Sequence, residues 1–391
     1  MDASISSRLR DLVKFLSSVK GDLSNVTAPP SFLAPSSVVE VGHCWAQRPE
    51  VFAAPALEPC PEKRSLLVLR LVLIALRSQL YIAGSPAVSI KKPLNAFLGE
   101  LFLASWTHPE CGSTTRLAAE QVSHHPPVTA MHIADEKNGV RADGYARVEM
   151  TGVNIRQIGH AVLHVDRFDE DYLIPLPDVR VCGFLSGRLY PEVQGTYKII
   201  SSTGYVSEIR FSGAGFTGGK KNGFEARTYR RDDPKKRSIY EASGSWSEGW
   251  TVRDARSGEV LERYDCDAEE NEPAPMSIRP HREQDPWESR KAWAGVISGI
   301  EGGDFRQVIE EKSRLEQAQR DMRACEAARG HKWKPLLFDS GAAREHHVFH
   351  RLVNGTDWKL SEEKTKGVWR IDKARLDSLQ GPFRGDLTPL G

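Results

Sequence analysis

The chain has 391 residues, of which 53 are basic and 52 acidic, so its formal net charge is only +1 at pH 7. Hydrophobic residues make up 40% and charged residues 27%, as in an ordinary soluble globular protein. This balance argues against a nucleic-acid partner held by bulk positive charge, and the apolar run at 66–76, interrupted by Arg70, is too short to span a bilayer.

The six cysteines are scattered, without the short spacings of a zinc site or a redox dithiol. We therefore expect reduced thiols in the cytosol. The start of the chain has no apolar run behind a basic end, so no secretory signal is expected.

Residues 5–19 place apolar side chains at helical spacing, among them Ile5, Leu9, Leu12 and Leu16, with charged residues and serines between them. This pattern predicts an amphipathic helix that ends near Gly21. Two interpretations stay open: a helix docked permanently on the core, or a mobile lid that also meets membrane surfaces.

The segment from residue 32 to about 80 is predicted to be mainly helical, with Leu66, Leu69, Leu73 and Leu76 on one long helix. Beyond residue 97 the pattern changes to short runs rich in Val, Ile, Tyr and Thr between turn residues, and this pattern continues to about Tyr264. It predicts an antiparallel sandwich or barrel with strands near 144–150, 155–165, 195–200, 205–211 and 224–229.

An acidic, proline-containing loop is predicted at 265–286, and a long, largely exposed helix at 304–328. The remainder of the chain alternates aromatic with charged residues, so we expect it to wrap back onto the main body. Three segments carry candidate ligand-binding residues: KKPLNAFLGE at 91–100, EQVSHHPP at 120–127 and EKSRLEQAQR at 311–320.

The histidine pair His124 and His125 is followed by two prolines that restrict the backbone, so its imidazoles are held in place. Two imidazole N–H groups suit the oxygens of a phosphate. Ordinary loop histidines are the plain alternative. A metal site would need a third ligand such as His108, Cys111 or His132, and none has a recognised spacing.

In the first segment, Lys92 and Asn95 lie on a turn anchored by apolar neighbours, which can form a preorganised anion site. In the third, Lys312, Glu316 and Arg320 are four residues apart and share one helix face. The alternative for that face is a solvent-exposed ladder of ion pairs.

The string EQVSHHPP is identical to the fingerprint of the oxysterol-binding protein family, and 91–100, 219–222, 289–293 and 311–320 also resemble that family. The chain resembles the short fungal members that consist of the lipid-binding domain alone. The resemblance implies an α+β fold dominated by β-structure: a large near-closed antiparallel β-barrel around a lipid tunnel. We expect a lid at 1–29, a helical subdomain at 30–100, the barrel at 101–283 and a C-terminal helical subdomain at 284–391.

The resemblance also implies a function. Such a protein binds phosphatidylinositol 4-phosphate and exchanges it for a sterol similar to ergosterol or cholesterol; it has no cofactor and no metal, and is not an enzyme. It is expected to be a cytoplasmic monomer that contacts membranes of the endoplasmic reticulum, Golgi or plasma membrane transiently through its lid and basic mouth. Exchange for phosphatidylserine or another glycerolipid, and lipid sensing without flux, are the alternatives.

By motif match, the headgroup-binding residues are expected to be Lys92, Asn95, His124, His125, Lys312, Glu316 and Arg320. For the sterol, Trp45, Gln79 and Asn154 match positions near the lipid, whereas Leu80 stands where some sterol-binding members have a tyrosine. The histidines at 346, 347 and 350 lie beside Glu345, but no nucleophile with a base and no complete metal shell can be assembled from them.

Overall fold

The structure is a computed structural model that describes residues 28–183, 188–213, 220–340, 347–354, 356, 358 and 363–391, together with the backbone of residues 20–22. The predicted helix at 5–19 lies outside the described residues, as do Glu345, His346 and the side chain of His347. No helix in the described ranges is both long and apolar enough to cross a membrane.

The described helices fall into an N-terminal and a C-terminal group on either side of the strand-rich part of the chain. They are α1 (His43–Ala46), α2 (Pro49–Leu57), α3 (Pro61–Leu80), α4 (Ser289–Ala292), α5 (Ala294–Gly302), α6 (Phe305–Ala328), α7 (His347–Val353) and α8 (Lys373–Asp377). The long helices predicted near 66–76 and 304–328 are therefore confirmed as α3 and α6.

The strands occupy most of the chain between α3 and α4. They are β1 (Lys20–Asp22), β2 (Leu33–Ser37), β3 (Lys92–Leu94), β4 (Leu101–Thr107), β5 (Thr114–His124), β6 (Pro127–Asp135), β7 (Val140–Thr151), β8 (Asn154–Val165), β9 (Glu170–Pro175), β10 (Val179–Cys182), β11 (Tyr190–Val193), β12 (Gly195–Ser201), β13 (Tyr205–Ser212), β14 (Gly223–Arg230), β15 (Tyr240–Ser245), β16 (Gly249–Asp254), β17 (Val260–Asp265), β18 (Met276–Ser277), β19 (Phe338–Asp339) and β20 (Arg370–Ile371).

Sixteen of the described strands form one antiparallel sheet, with neighbours in the order β17-β16-β15-β14-β13-β12-β9-β8-β7-β6-β5-β4-β18. The other three strands join at the sides: β1 pairs with β7, β10 pairs with β8, and β11 pairs with β10. The longest hairpin joins β7 to β8, from Val140 opposite Val165 to Thr151 opposite Asn154. The end strands β17 and β18 do not pair with each other within the described ranges. The expected near-closed barrel is therefore confirmed, and the sheet is open between these two strands.

Helix α3 packs its apolar face against the sheet. Leu69, Leu73, Leu76 and Leu80 follow each other at intervals of four, three and four residues and are all buried in the main core. This spacing keeps them on one side of a 3.6-residue helix. The sequence prediction of a mainly helical segment from 32 to 80 is confirmed, although that segment also holds β2, which pairs in parallel with β3.

A buried ion pair fixes the start of α3 to the barrel. Arg64 Nε lies 2.6 Å from Glu170 Oε2 at the start of β9, and both side chains are almost fully buried. Glu170 Oε1 accepts hydrogen bonds from Ser201 Oγ and Thr203 Oγ1, each at 2.7 Å. These bonds satisfy the carboxylate, which would otherwise be costly to bury.

The C-terminal region packs against the β4–β6 side of the sheet. Asp304 is the N-cap of helix α6, and its carboxylate accepts a 3.0 Å hydrogen bond from Gln307 N. Val308, Leu315 and Met322, spaced by two helical turns, are its buried apolar anchors. The predicted return of the tail onto the main body is confirmed. The domain boundaries expected from the sequence stay predictions.

Gly99 allows the closest approach in this region, because its φ of +83° is left-handed and a Cβ there would lie 2.2 Å from Trp333 Cζ2. We expect Gly99→Ala to lower the free energy of unfolding by about 3 kcal/mol, since it combines backbone strain with overpacking. Urea denaturation measures this loss. Gly152→Ala is the matched control: its φ is +59° with nothing within 4 Å of the added Cβ, so strain alone should cost about 1 kcal/mol. Equal losses would contradict the packing argument.

Candidate functional site

A cavity of about 250 Å³ lies between the α1 and α3 region and the inner side of strands β6, β7, β8 and β10. Trp45, Gln79 and Leu80, three of the residues expected near a sterol, line this cavity. Apolar side chains form most of the wall, among them Val39, Ile82, Met131, Val148, Ile155 and Val181. Such a wall favours an apolar ligand, because burial removes its surface from water.

Asn154, the fourth residue expected near the sterol, does not line the cavity and is exposed at the start of β8. Successive residues of a strand face opposite sides, so Ile155 and Gln157 turn inward instead. Gln157 Oε1 accepts a 3.4 Å hydrogen bond from Gln79 Nε2, and Gln157 Nε2 donates a 2.6 Å bond to the Pro177 carbonyl. Gln79 and Gln157 therefore form a hydrogen-bonded polar pair in this wall.

The turn that carries Lys92 and Asn95 forms another part of the cavity wall. Lys92 Nζ donates a 2.5 Å hydrogen bond to Asn95 Oδ1, while the neighbouring Pro93 and Leu94 are buried. Burial lowers the pKa of Lys92 to about 7; the charge of Lys312 contributes to this shift and that of Glu316 opposes it. The charged form of Lys92 is therefore disfavoured, mainly by burial and also by Lys312, and a bound anion would favour it.

The histidine pair lies where β5 ends. The two imidazole centroids are 4.8 Å apart in an edge-to-face arrangement, with His124 half-buried and His125 exposed. Burial lowers the pKa of His124, and the nearby His125 and Arg323 lower it further, whereas Glu316 and a hydrogen bond with the Ala96 backbone raise it. His124 is therefore mainly neutral at pH 7.

Helix α6 brings its charged face to the other two segments. Lys312 is mostly buried and hydrogen-bonds to the Glu316 carboxylate. Glu316 also interacts electrostatically with both Lys92 and His124, so the three sequence segments meet around this carboxylate. We call Lys92, His124, Lys312 and Glu316 the cationic cluster. A purely solvent-exposed ladder is therefore not what this part of the helix forms.

Arg320 is the predicted residue that the structure does not bring to the cluster. It is exposed, and its Nη2 and Nε donate hydrogen bonds of 2.9 and 3.2 Å to Gln317 Oε1. Arg323, one turn further along α6 and half-buried, lies close enough to His124 for its charge to affect that imidazole. Arg323 follows Glu316 by seven residues, or two helical turns, so it lies on the same helix face just beyond the motif. This spacing is the signal in the sequence that could have identified it.

A β-barrel around an apolar cavity, with a cationic cluster in and beside its wall, defines a class of protein that encloses an amphipathic ligand. The family model described as oxysterol-binding protein matches residues 11–296. The chain therefore belongs to the oxysterol-binding protein family.

Two curated relatives extend the match. The chain is 46% identical over 380 residues to the probable transporter efuK of Hormonema carpetanum, covering 96% of this chain but 54% of that protein. The chain thus spans about half the length of this relative. It is 36% identical over 334 residues to protein kes1 of Schizosaccharomyces pombe, covering 84% of this chain and 85% of the relative.

Solved structures share the fold. The Osh1 ORD domain in complex with ergosterol superimposes with a TM-score of 0.65 at 19% identity, covering 88% of this chain and 90% of that one. The Osh3 ORD in complex with PI(4)P from Saccharomyces cerevisiae gives a TM-score of 0.63 at 20% identity, covering 83% and 85%. At these identities the comparison establishes the fold of the chain.

The repulsion around Lys92 can be measured directly. In ¹³C NMR of the reductively methylated protein, we expect the Lys92 resonance to titrate near pH 7, because burial and Lys312 lower its pKa. Lys312→Met should raise this pKa and Glu316→Gln should lower it, since they remove charges of opposite sign. Lys332→Met, at an exposed position, should leave it unchanged. A wild-type midpoint near the ordinary value of 10.5 would contradict the geometry.

Proposed function

We propose that this protein is a lipid-transfer protein, not an enzyme, that binds phosphatidylinositol 4-phosphate and exchanges it for a sterol between membranes. The observation that carries the proposal is the junction of two environments at Lys92, which lines the apolar cavity and also interacts with Lys312 and Glu316 of the cationic cluster. One amphipathic molecule can use both environments at once. The fold supports the proposal, because related ORD structures hold ergosterol in one case and PI(4)P in another.

In this proposal the phosphorylated inositol meets Lys92, Asn95, His124, His125 and Lys312, with Glu316 orienting the cations. Arg320 would join by turning away from Gln317, since an exposed arginine is free to change rotamer. Charge-assisted hydrogen bonds are shorter and stronger than neutral ones. A phosphate would also offset the burial of the Lys92 ammonium and its repulsion by Lys312.

The sterol would occupy the apolar part of the same cavity, between Trp45 and Leu80, with its hydroxyl at the Gln79–Gln157 pair. Because both lipids would need this cavity, binding of one would exclude the other. Mutual exclusion is what converts binding into exchange between two membranes. The protein would act as a cytoplasmic monomer whose contacts with organelle membranes are transient.

A glycerolipid such as phosphatidylserine is the second candidate for the exchanged ligand. The observation that favours it is the chemistry of the wall: Leu80 supplies no hydroxyl, and the hydroxyl of the neighbouring Tyr81 accepts a 2.7 Å hydrogen bond from Asn222 Nδ2. A sterol hydroxyl would therefore find no hydroxyl partner at Leu80 and would rely on other polar groups of the wall, such as the Gln79–Gln157 pair. Competition between sterol, phosphatidylserine and phosphatidylinositol 4-phosphate for the purified protein separates these candidates.

Transfer between two liposome populations, one with sterol and one with phosphatidylinositol 4-phosphate, tests the proposal. We expect the wild type to move both lipids in opposite directions at catalytic amounts. His124→Ala/His125→Ala should slow phosphoinositide transfer at least about tenfold, because it removes two phosphate donors, and should leave sterol binding intact.

His281→Ala is the matched control, since His281 is exposed in the loop before α4 and should leave transfer unchanged. Binding of both lipids without acceleration of their transfer would support a sensor. Failure of the folded wild type to bind either lipid would refute the proposed function.

The affinity for phosphatidylinositol 4-phosphate should depend on the protonation of Lys92. A bound phosphate raises the pKa of a neighbouring lysine, so binding takes up a proton wherever the free lysine is deprotonated. Since the free Lys92 has a pKa of about 7, affinity should fall above pH 7 by up to about tenfold per pH unit. The phosphate monoester is already dianionic there, with a second pKa of about 6. Fluorescence titration from pH 6.5 to 9 measures the slope.

Lys92→Arg separates this residue from general charge effects, because a guanidinium stays protonated throughout that range. The variant should show a flatter pH dependence above pH 7 than the wild type. Identical slopes in the two proteins would mean that Lys92 does not couple proton uptake to headgroup binding.

A further inference from the structure

Beside the histidine pair, two arginines from different parts of the chain lie on one indole ring. The guanidinium carbon of Arg384 is 3.7 Å and that of Arg323 is 4.5 Å from the Trp333 ring centroid. We name Arg323, Trp333 and Arg384 the arginine–tryptophan cluster. Each guanidinium is attracted by the face of the ring, while the two positive charges repel each other.

The cluster concentrates buried donors that lack an acceptor. All three guanidinium nitrogens of Arg323, together with Arg384 Nε and Trp333 Nε1, are buried without a hydrogen-bond partner among the described residues. Buried polar groups in folded proteins are almost always hydrogen-bonded. Five such donors around one ring therefore point to an acceptor with several oxygens.

The surrounding carboxylates do not supply that acceptor. Glu326 Oε2 lies 3.2 Å from Arg323 Nε as an ion pair but outside hydrogen-bond geometry, so all three guanidinium nitrogens of Arg323 still lack a hydrogen-bond partner in the described chain. Glu120 lies 3.5 Å from Arg384 Nη2, but its two oxygens already accept the backbone N–H groups of Leu336 and Leu337 at 2.6 and 2.8 Å. The described residues thus provide no hydrogen-bond acceptor for the donors of Arg323.

The arginine–tryptophan cluster adjoins the candidate headgroup site. Trp333 packs directly on Gly99, whose backbone N–H donates a 2.9 Å hydrogen bond to the Gln121 carbonyl in β5. The same strand ends at His124, whose Nδ1 is also buried without a partner among the described residues. Arg323 and His124 interact electrostatically, so one anion could contact both.

We propose that the arginine–tryptophan cluster, together with His124, is a phosphate-binding subsite in which Arg323 provides the main guanidinium donor. The proposal rests on the proposed function to the extent that the phosphate belongs to a phosphoinositide headgroup. Inorganic phosphate offers the same chemistry, and the test distinguishes the two sources. A guanidinium fork matches two phosphate oxygens, which a lysine at this position could not do.

Isothermal titration calorimetry of the full chain with inositol 1,4-bisphosphate and, separately, with inorganic phosphate tests the subsite. Arg323→Gln should weaken binding of the phosphate source at least about tenfold, while sterol binding and the unfolding temperature stay as in the wild type. Arg323→Lys keeps the charge without the fork, so it should lose less affinity than the glutamine variant. Arg314→Gln is the control, because Arg314 is an exposed arginine of the same helix that pairs with Glu311.

Loss of inositol bisphosphate binding in Arg323→Gln assigns the subsite to the lipid headgroup. Loss of inorganic phosphate binding alone supports the subsite and assigns it to a free anion. If Arg323→Gln binds both probes like the wild type while His124→Ala loses the headgroup, the cluster is structural and this inference fails with the proposed function intact. If the folded wild type binds neither probe, the subsite is refuted, and the liposome experiment decides the proposed function separately.

Discussion

Two buried carboxylates hold the ligand-binding segments and the C-terminal region together. Glu100 Oε2 accepts a 2.9 Å hydrogen bond from Trp293 Nε1, and Glu120 accepts the backbone N–H groups of Leu336 and Leu337. Burial raises the pKa of each carboxyl to about 7, which shows that their charge is costly in this environment. The hydrogen bonds to the two carboxylates offset that cost only while the C-terminal region stays in place. These bonds therefore hold the C-terminal region against β5 and against the turn before β4.

The position of α6 follows from this attachment. Its apolar anchors, including Leu315, enter the core that the two carboxylates border, and Lys312 and Glu316, next to these anchors around the helix, face Lys92. Packing therefore forces like charges together. Burial lowers the pKa of Lys92 and the charge of Lys312 lowers it further, and a bound anion would oppose both effects. The fold thus provides a site whose polar groups are arranged before any ligand arrives.

Local pattern in the sequence carried a large part of this result. The leucine spacing of α3, the helix-forming composition of α6 and the short strands between turns all depend on contacts near in sequence, and each was predicted. The resemblance to the family grouped Lys92, His124 and Glu316 into one expected site by motif match, whereas spacing alone left the solvent-exposed ladder open. The family fingerprint added the expectation of a barrel, which the sheet confirms.

By itself, the sequence determined which elements form and which residue types could meet an amphipathic ligand. Only the tertiary structure decided which side chains face it: Gln157 rather than Asn154 lines the cavity, and Arg323 rather than Arg320 lies beside His124. The parallel pairing of β2 with β3 was likewise decided only by the tertiary structure. Strand facing, helix rotation and long-range pairing are set by how distant segments pack, and a local periodicity contains no information about its distant partner.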